Sequence, residues 1–416
     1  MCVPSGAIRE TRRDRDVAGG ATDSVRGAMI LSSTDVATPH APIGDAEVSA
    51  RIRRLQADLL ARGLAGVVCF GAHRDYCPAD LRYLARWSCT DEESSYLFVP
   101  RDGETTLVTD AEWDHDRARA EAFAGAVVLD RTPERTLTRL IAEHARSGDR
   151  VGISGFRVFP APVFVAVAAR CPSIVFEDAS SITAAQRLVK SPAELGLLRE
   201  AARISDLGMR AGVAQIREGA VEAEVAAAAE YAIRRTGADL SFVTVMGSGT
   251  RTAQATFFPT NRVMRRGEYA VLDCGARVEG YHGDMCRTVT VGGPTPEQRQ
   301  ALEAVKRAVE AAIDAARPGA TVRQVHEAAQ RAVTDAGLGK HWWGYYMPHG
   351  AGTGQHEPPA GLDDGELVLA EGMVLCVEPG ITLPGAGAVI LEQMITIGPD
   401  GAEVLNALPL DLWDNH

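Results

Sequence analysis

Apolar positions recur at helical spacing soon after the first forty residues. Val48, Ile52, Leu55, Leu59 and Leu60 predict an amphipathic helix from Ala46 that stops near Gly63. A short apolar run at 66–70 predicts a buried strand, and strands follow at 96–99 and 105–108, joined by a turn at 100–103. Helical stretches at 111–123 and 132–145 then alternate with strands at 126–129 and 151–153. This alternation predicts an α/β domain over 42–180, without a glycine-rich phosphate loop and with no chemistry of its own.

The pattern changes after Ser180 and Ser181. Ser191-Pro192-Ala193-Glu194 has the form of a helix start, with proline in the first turn and an acid three residues after the serine. That helix is expected to run to about 218, and an alanine-rich helix follows at 222–236. Two more helices are expected at 296–316 and 322–336, with strands at 372–378, 388–397 and 403–406. A second domain over 181–416 is the expectation, since 416 residues exceed one ordinary core. Residues 1–41, with Arg9, Arg12, Arg13 and Arg15 before a Ser/Thr/Pro-rich stretch, read as a disordered tail without a secretory signal.

Composition narrows the partners. Hydrophobic residues make up 46% and charged residues 24%, the balance of a soluble globular protein. A net charge of −12 argues against nucleic acid or an anionic membrane as partner. No run approaches the roughly 18–20 apolar residues of a membrane span. The eight cysteines are scattered without a CxxC pair and read as reduced thiols, which predicts a cytoplasmic protein.

Four acids stand in strand-like company. Asp273 follows Ala270, Val271 and Leu272, and Asp284 precedes Met285 and Cys286, on two runs flanking a turn at 277–280. A hairpin closing near Val278 and Glu279 would put the two aspartates roughly opposite each other, where they repel unless a proton or cation lies between them. Taken alone, the pair reads more readily as surface acids flanking a turn. Glu378 and Glu392 lie in apolar runs expected to be strand interiors, where an unpaired carboxylate is costly. A shared cation site with a histidine as fifth ligand accounts for all four. Oxygen-rich ligation with one imidazole suits Mn²⁺, Co²⁺, Fe²⁺ or Zn²⁺, and the lack of thiolate pairs excludes an ordinary structural zinc site.

The order of these motifs resembles the pita-bread metallohydrolases: aminopeptidase P, prolidase, methionine aminopeptidase and the creatinase-type C–N hydrolases. The motifs are LDCGA around Asp273, GYHGDMCRT around Asp284, HGAG at His349 followed by HEP at His356, VEPGI around Glu378, and LEQ at Glu392. Residues 42–180 resemble the creatinase-type N-terminal domain, and the connector from Lys190 matches as well. The resemblance implies a curved antiparallel sheet carrying two divalent ions, Mn²⁺ first among them. It implies that Asp273 chelates one ion, Asp284 and Glu392 bridge both, and His349 with Glu378 completes the second. A water activated between the ions would be the nucleophile, with Glu378 accepting its proton and His356 steadying the scissile amide or the tetrahedral intermediate. The implied substrate is a small peptide or small amide, cut in the manner of an Xaa-Pro aminopeptidase or dipeptidase by a homodimer.

Three positions depart from the family pattern. Thr256 stands where the family carries another active-site histidine, Ile390 where it carries an arginine, and Cys286 where a threonine is common. The first two remove a donor and a cation near the substrate, which favours as alternative a non-peptide amide or cyclic amidine, as for ectoine hydrolases or creatinase. A non-catalytic binding protein on the same scaffold is the reading from another class, opposed by five intact ligands. His282 is expected beside the site, as pocket wall or proton carrier. Trp342, Trp343, Tyr345 and Tyr346 are expected to pack or to wall the pocket. His40, His73, His115, His144, His326, His341 and His416 show no ligand spacing and are read as surface residues, while Cys274 and Cys376 are read as small core residues.

Overall fold

A computed structural model describes residues 43–72, 79–90, 93–254, 257–344 and 346–415. The helix Asp45–Arg62 buries Val48, Ile52, Leu55 and Leu59 of the face its spacing predicts, leaves Leu60 exposed, and ends at Gly63. It lies against a six-stranded mixed sheet in the order Ala126–Leu129, Thr106–Thr109, Ser95–Pro100, Leu64–Gly71, Arg150–Ser154, Val175–Asp178. The strand Leu64–Gly71 is buried along its whole length, hence its unbroken apolar run. The helix Ala161–Arg170 and the edge strand Val175–Asp178 carry too little periodicity to be anticipated.

The connector helix spans Pro192–Val213, shorter than expected, and opens on a capping box. The Glu194 amide donates to Ser191 Oγ at 3.2 Å, and the Ser191 amide donates to Glu194 Oε2 at 2.9 Å. The other Glu194 oxygen accepts from the Tyr281 hydroxyl at 3.0 Å, so the same acid that starts the helix fixes the tip of a hairpin. The helices Pro296–Ala315 and Val322–Asp335 each begin on a threonine cap. Their apolar faces share one core with Leu375, Val377, Ile381 and Ile395 of the C-terminal strands.

Two antiparallel ribbons carry the acids. In the first, Tyr269–Asp273 pairs with Cys286–Thr290, and the same register continues through Ala276–Val278 against Tyr281–His282. The turn residues are therefore Glu279 and Gly280, both in the left-handed region at φ 50 and 82, as a two-residue hairpin turn requires. This corrects the expected register by one turn position. Asp273 faces Cys286, and Asp284 sits diagonally, two residues along. An offset of two leaves both aspartates on one face of the ribbon.

The second ribbon pairs Val374–Val377 with Gln393–Ile397 and, beyond a break, Gly380–Leu383 with Gly387–Ile390. The pairs Val377 with Gln393 and Gly380 with Ile390 share one register, which places Glu378 opposite Glu392 within the break. The two glutamates thus lie where the ribbon passes from one sheet to the next, not in strand interiors as expected. The ribbons are tied together where the Glu392 amide donates to the Cys286 carbonyl at 3.0 Å and the Thr288 hydroxyl to the Ile390 carbonyl at 2.7 Å.

Candidate metal centre

Strand His349–Gly350 pairs with Val374–Val377, His349 facing Cys376, and so brings the imidazole to the edge of the second ribbon. His349 Nδ1 lies 3.2 Å from the Gly350 carbonyl. Donation to that carbonyl leaves the Nε2 lone pair directed at Glu392, whose Oε1 is 3.7 Å away. His349 and His356 meet edge to face with ring centroids 4.3 Å apart.

All five predicted ligands converge. Ligand atoms of Asp284, His349, Cys376 and Glu392 lie within 4.8 Å of one another, and those of Asp273, Cys286 and Glu378 form a second such group. Glu378 falls with Asp273, whereas the resemblance pairs it with His349. Asp273, Asp284, His349, His356 and Glu378 border a cavity of about 710 Å³.

The electrostatics are those of a cage made for cations. Burial, and the neighbouring Asp284 and Glu378, push the Asp273 carboxyl well above the usual carboxylate range. Burial raises Asp284 to about 7, and burial with the nearby Asp284 charge raises Glu378 to about 8. Glu392 moves up for the same reasons. Both Glu392 oxygens and Asp273 Oδ1 are buried without a hydrogen-bond partner. Such orphaned acceptors cost several kcal/mol unless a cation or proton meets them. The donor set therefore fits divalent ions. Burial and the adjacent His356 hold His349 down at about 3, which keeps it a neutral ligand.

Other expected residues fall in different places. His282 is buried with Nδ1 at 2.9 Å from Ser241 Oγ, and is not among the described residues lining the cavity. Trp343 and Tyr346 line the cavity, whereas Trp342 stacks edge to face on His326. His326 is no surface residue: it is 4% exposed, with Nδ1 at 3.0 Å from the Met347 carbonyl. It lies on the buried face of its helix, between Val322 and Ala329, a position that helical spacing reveals. Thr256, Tyr345, His40, His73 and His416 lie outside the described residues.

Several residues carry the site without having been anticipated. Cys376 and Cys286 join the donor groups because each stands two residues from an acid, Glu378 and Asp284, on the same ribbon face. Period-two spacing was the signal for both. Arg287, fully buried, donates to the carbonyls of Cys286 at 2.9 Å, Leu408 at 2.8 Å and Pro409 at 3.0 Å, and to Gln393 Oε1 at 2.9 Å. It clamps the first ribbon to the strand that follows Glu392. Glu357, beside His356, accepts from Arg187 Nε and Lys190 Nζ, each at 3.0 Å. Burial opposes the Glu357 charge, but the two cations hold it below the usual range.

Paired acids and an imidazole bordering one cavity, on linked antiparallel ribbons, make a centre able to hold divalent ions. Residues 196–399 match metallopeptidase family M24, and residues 51–189 match the creatinase/prolidase N-terminal domain. The chain is 33% identical over 238 residues to an Xaa-Pro dipeptidase of Pyrococcus horikoshii, covering 57% of this chain and 68% of that protein. With the Xaa-Pro dipeptidase of Lactobacillus delbrueckii subsp. lactis it shares 31% over 333 residues, 78% of this chain and 89% of the other. The crystal structure of the prolidase from Pyrococcus horikoshii OT3 superposes with a TM-score of 0.77 at 25% identity, covering 87% of this chain and 99% of that one. The chain belongs to metallopeptidase family M24, with a creatinase-type N-terminal domain ahead of a pita-bread catalytic domain. Among the described residues no helix is long and apolar enough to cross a membrane.

Proposed function

We propose that the protein hydrolyses the amide C–N bond of a small substrate of the Xaa-Pro dipeptide class, using two divalent ions. The observation that carries this reading is the pair of adjoining donor groups in which both Glu392 oxygens and Asp273 Oδ1 are buried without a hydrogen-bond partner. Asp273, Asp284, His349, Glu378 and Glu392 would hold the ions, which supply an acidified water and polarisation of the scissile carbonyl. Glu378 accepts the proton of the attacking water, since it borders the cavity at the break in its ribbon. His356, seated against His349 and open to the cavity, donates to the developing oxyanion. The oxygen-rich set favours Mn²⁺, and ligation by Cys286 or Cys376 would shift preference to Zn²⁺ or Co²⁺. The described cysteines, all buried thiols, suit a cytoplasmic setting, and a homodimer is the proposed assembly.

Metal analysis of the purified chain with an Xaa-Pro dipeptide assay tests the proposal. Two divalent ions per chain and metal-dependent release of proline are expected. Asp284→Asn should lose both metal and turnover, whereas His356→Ala should keep metal and lose turnover by about 10²-fold or more. Equal metal loss in the two variants would remove His356 from the reaction.

A further inference from the structure

The cavity is divided by chemistry. Its floor carries Asp273, Asp284 and Glu378, while its walls are built from Phe242, Val245, Phe257, Val271, Trp343 and Ile390. The apolar lining continues to the surface, where Val243, Phe258 and Tyr346 are 55%, 56% and 65% exposed. No lysine or arginine is among the described residues lining it. Arg187 and Lys190, which reach Glu357 at the edge of this lining, are engaged by that carboxylate. Ile390 stands two residues before Glu392 on the same ribbon and is 9% exposed, so a branched aliphatic chain occupies the wall next to the acids.

A free dipeptide ends in a carboxylate. Within this cavity that group would meet largely apolar walls, with Gln355 and His356 as uncharged donors, and would give up its water without gaining a cationic side chain. The carboxylates of Asp273, Asp284, Glu378 and Glu392 would match the charge of two bound divalent ions, which leaves no surplus positive charge to receive another anion. An exposed aromatic rim, by contrast, is unfavourable in water and is relieved by apolar contact. Resting on the assignment of this cavity as the catalytic pocket, we infer that the leaving-group side of the substrate is uncharged and apolar. The substrate class is a neutral hydrophobic amide, such as a dipeptide blocked at its carboxyl end, and Ile390 is the residue that sets this preference.

The test uses a matched pair of reduced-bond analogues of Phe-Pro, one the free acid and one the carboxamide, which bind without being cleaved. Their affinities for the Mn²⁺-loaded full-length protein are measured by titration calorimetry. The carboxamide should bind at least about tenfold tighter, the scale of one poorly matched polar group. Equal or tighter binding of the acid would overturn the inference. Ile390→Arg should shift the affinity ratio at least about tenfold toward the acid, and an unchanged ratio in a folded variant would remove Ile390 from the argument. Phe258→Ala, at the exposed rim, should weaken carboxamide binding several-fold; unchanged binding would count against the apolar wall and decides the matter if Ile390→Arg does not fold. Failure to cleave either parent peptide while metal is bound would defeat the proposed reaction, whereas the binding ratio reads the substrate class separately.

Discussion

Stripping metal from this protein should reverse the pH dependence of its stability. In the metal-free fold Asp284 rises from 3.8 to about 7 and Glu378 from 4.5 to about 8, with burial as the first cause in both. A carboxyl whose folded pKa exceeds its unfolded one binds its proton more tightly when folded. The stabilisation is fully present below about pH 4 and is lost as pH rises through 7 to 8. The stabilisation falls by about 1.4 kcal/mol per pH unit between the unfolded and folded pKa, so a single such carboxyl loses roughly 2–3 kcal/mol from pH 5.5 to 8.5. The four acids share protons, and one such step is the conservative expectation. For a chain of this size that amounts to a fall in Tm of roughly 3 °C. Thermal unfolding in excess chelator should therefore show a lower Tm at pH 8.5 than at pH 5.5. With saturating Mn²⁺ the slope should invert, because the ligands must lose protons to bind. Asp284→Asn with Glu378→Gln should flatten the chelated profile while keeping the shapes of both side chains. A chelated protein whose stability is level or rises from pH 5.5 to 8.5 would refute the reasoning.

Arg287→Met should destabilise the fold by about 3 kcal/mol or more in urea unfolding, because several buried carbonyls and Gln393 lose their donor. Gly275→Ala should lower metal affinity although it alters no ligand: a methyl there would strike the Gly283 carbonyl across the ribbon and push Asp284 away, readable as a weaker Mn²⁺ titration. Ser191→Ala should cost about 1 kcal/mol through loss of the helix cap, with metal content unchanged.

Much of this site was legible before any coordinates. The apolar company of Asp273, Asp284, Glu378 and Glu392 and the motif context of His349 and His356 single out the residues that the fold brings together. The helix start at Ser191 was equally plain, since a capping box is local chemistry that needs no distant partner. What remained hidden depends on pairing. A turn at Glu279-Gly280, one position beyond the expected one, sets Asp284 diagonal to Asp273 and places Cys286 opposite instead. The break that puts Glu378 opposite Glu392 comes from a change of sheet, and an apolar run reads alike on both sides of it.

The sequence by itself therefore determined the donor types, because an acid in an apolar run is costly wherever the chain folds. Only the tertiary structure decided their grouping and the nature of the cavity above them. Phe242, Phe257, Trp343 and Ile390 are separated along the chain by up to 148 residues and share no motif. They become one apolar wall because the two ribbons and the segment before His349 are held against each other by long-range pairing and by Arg287.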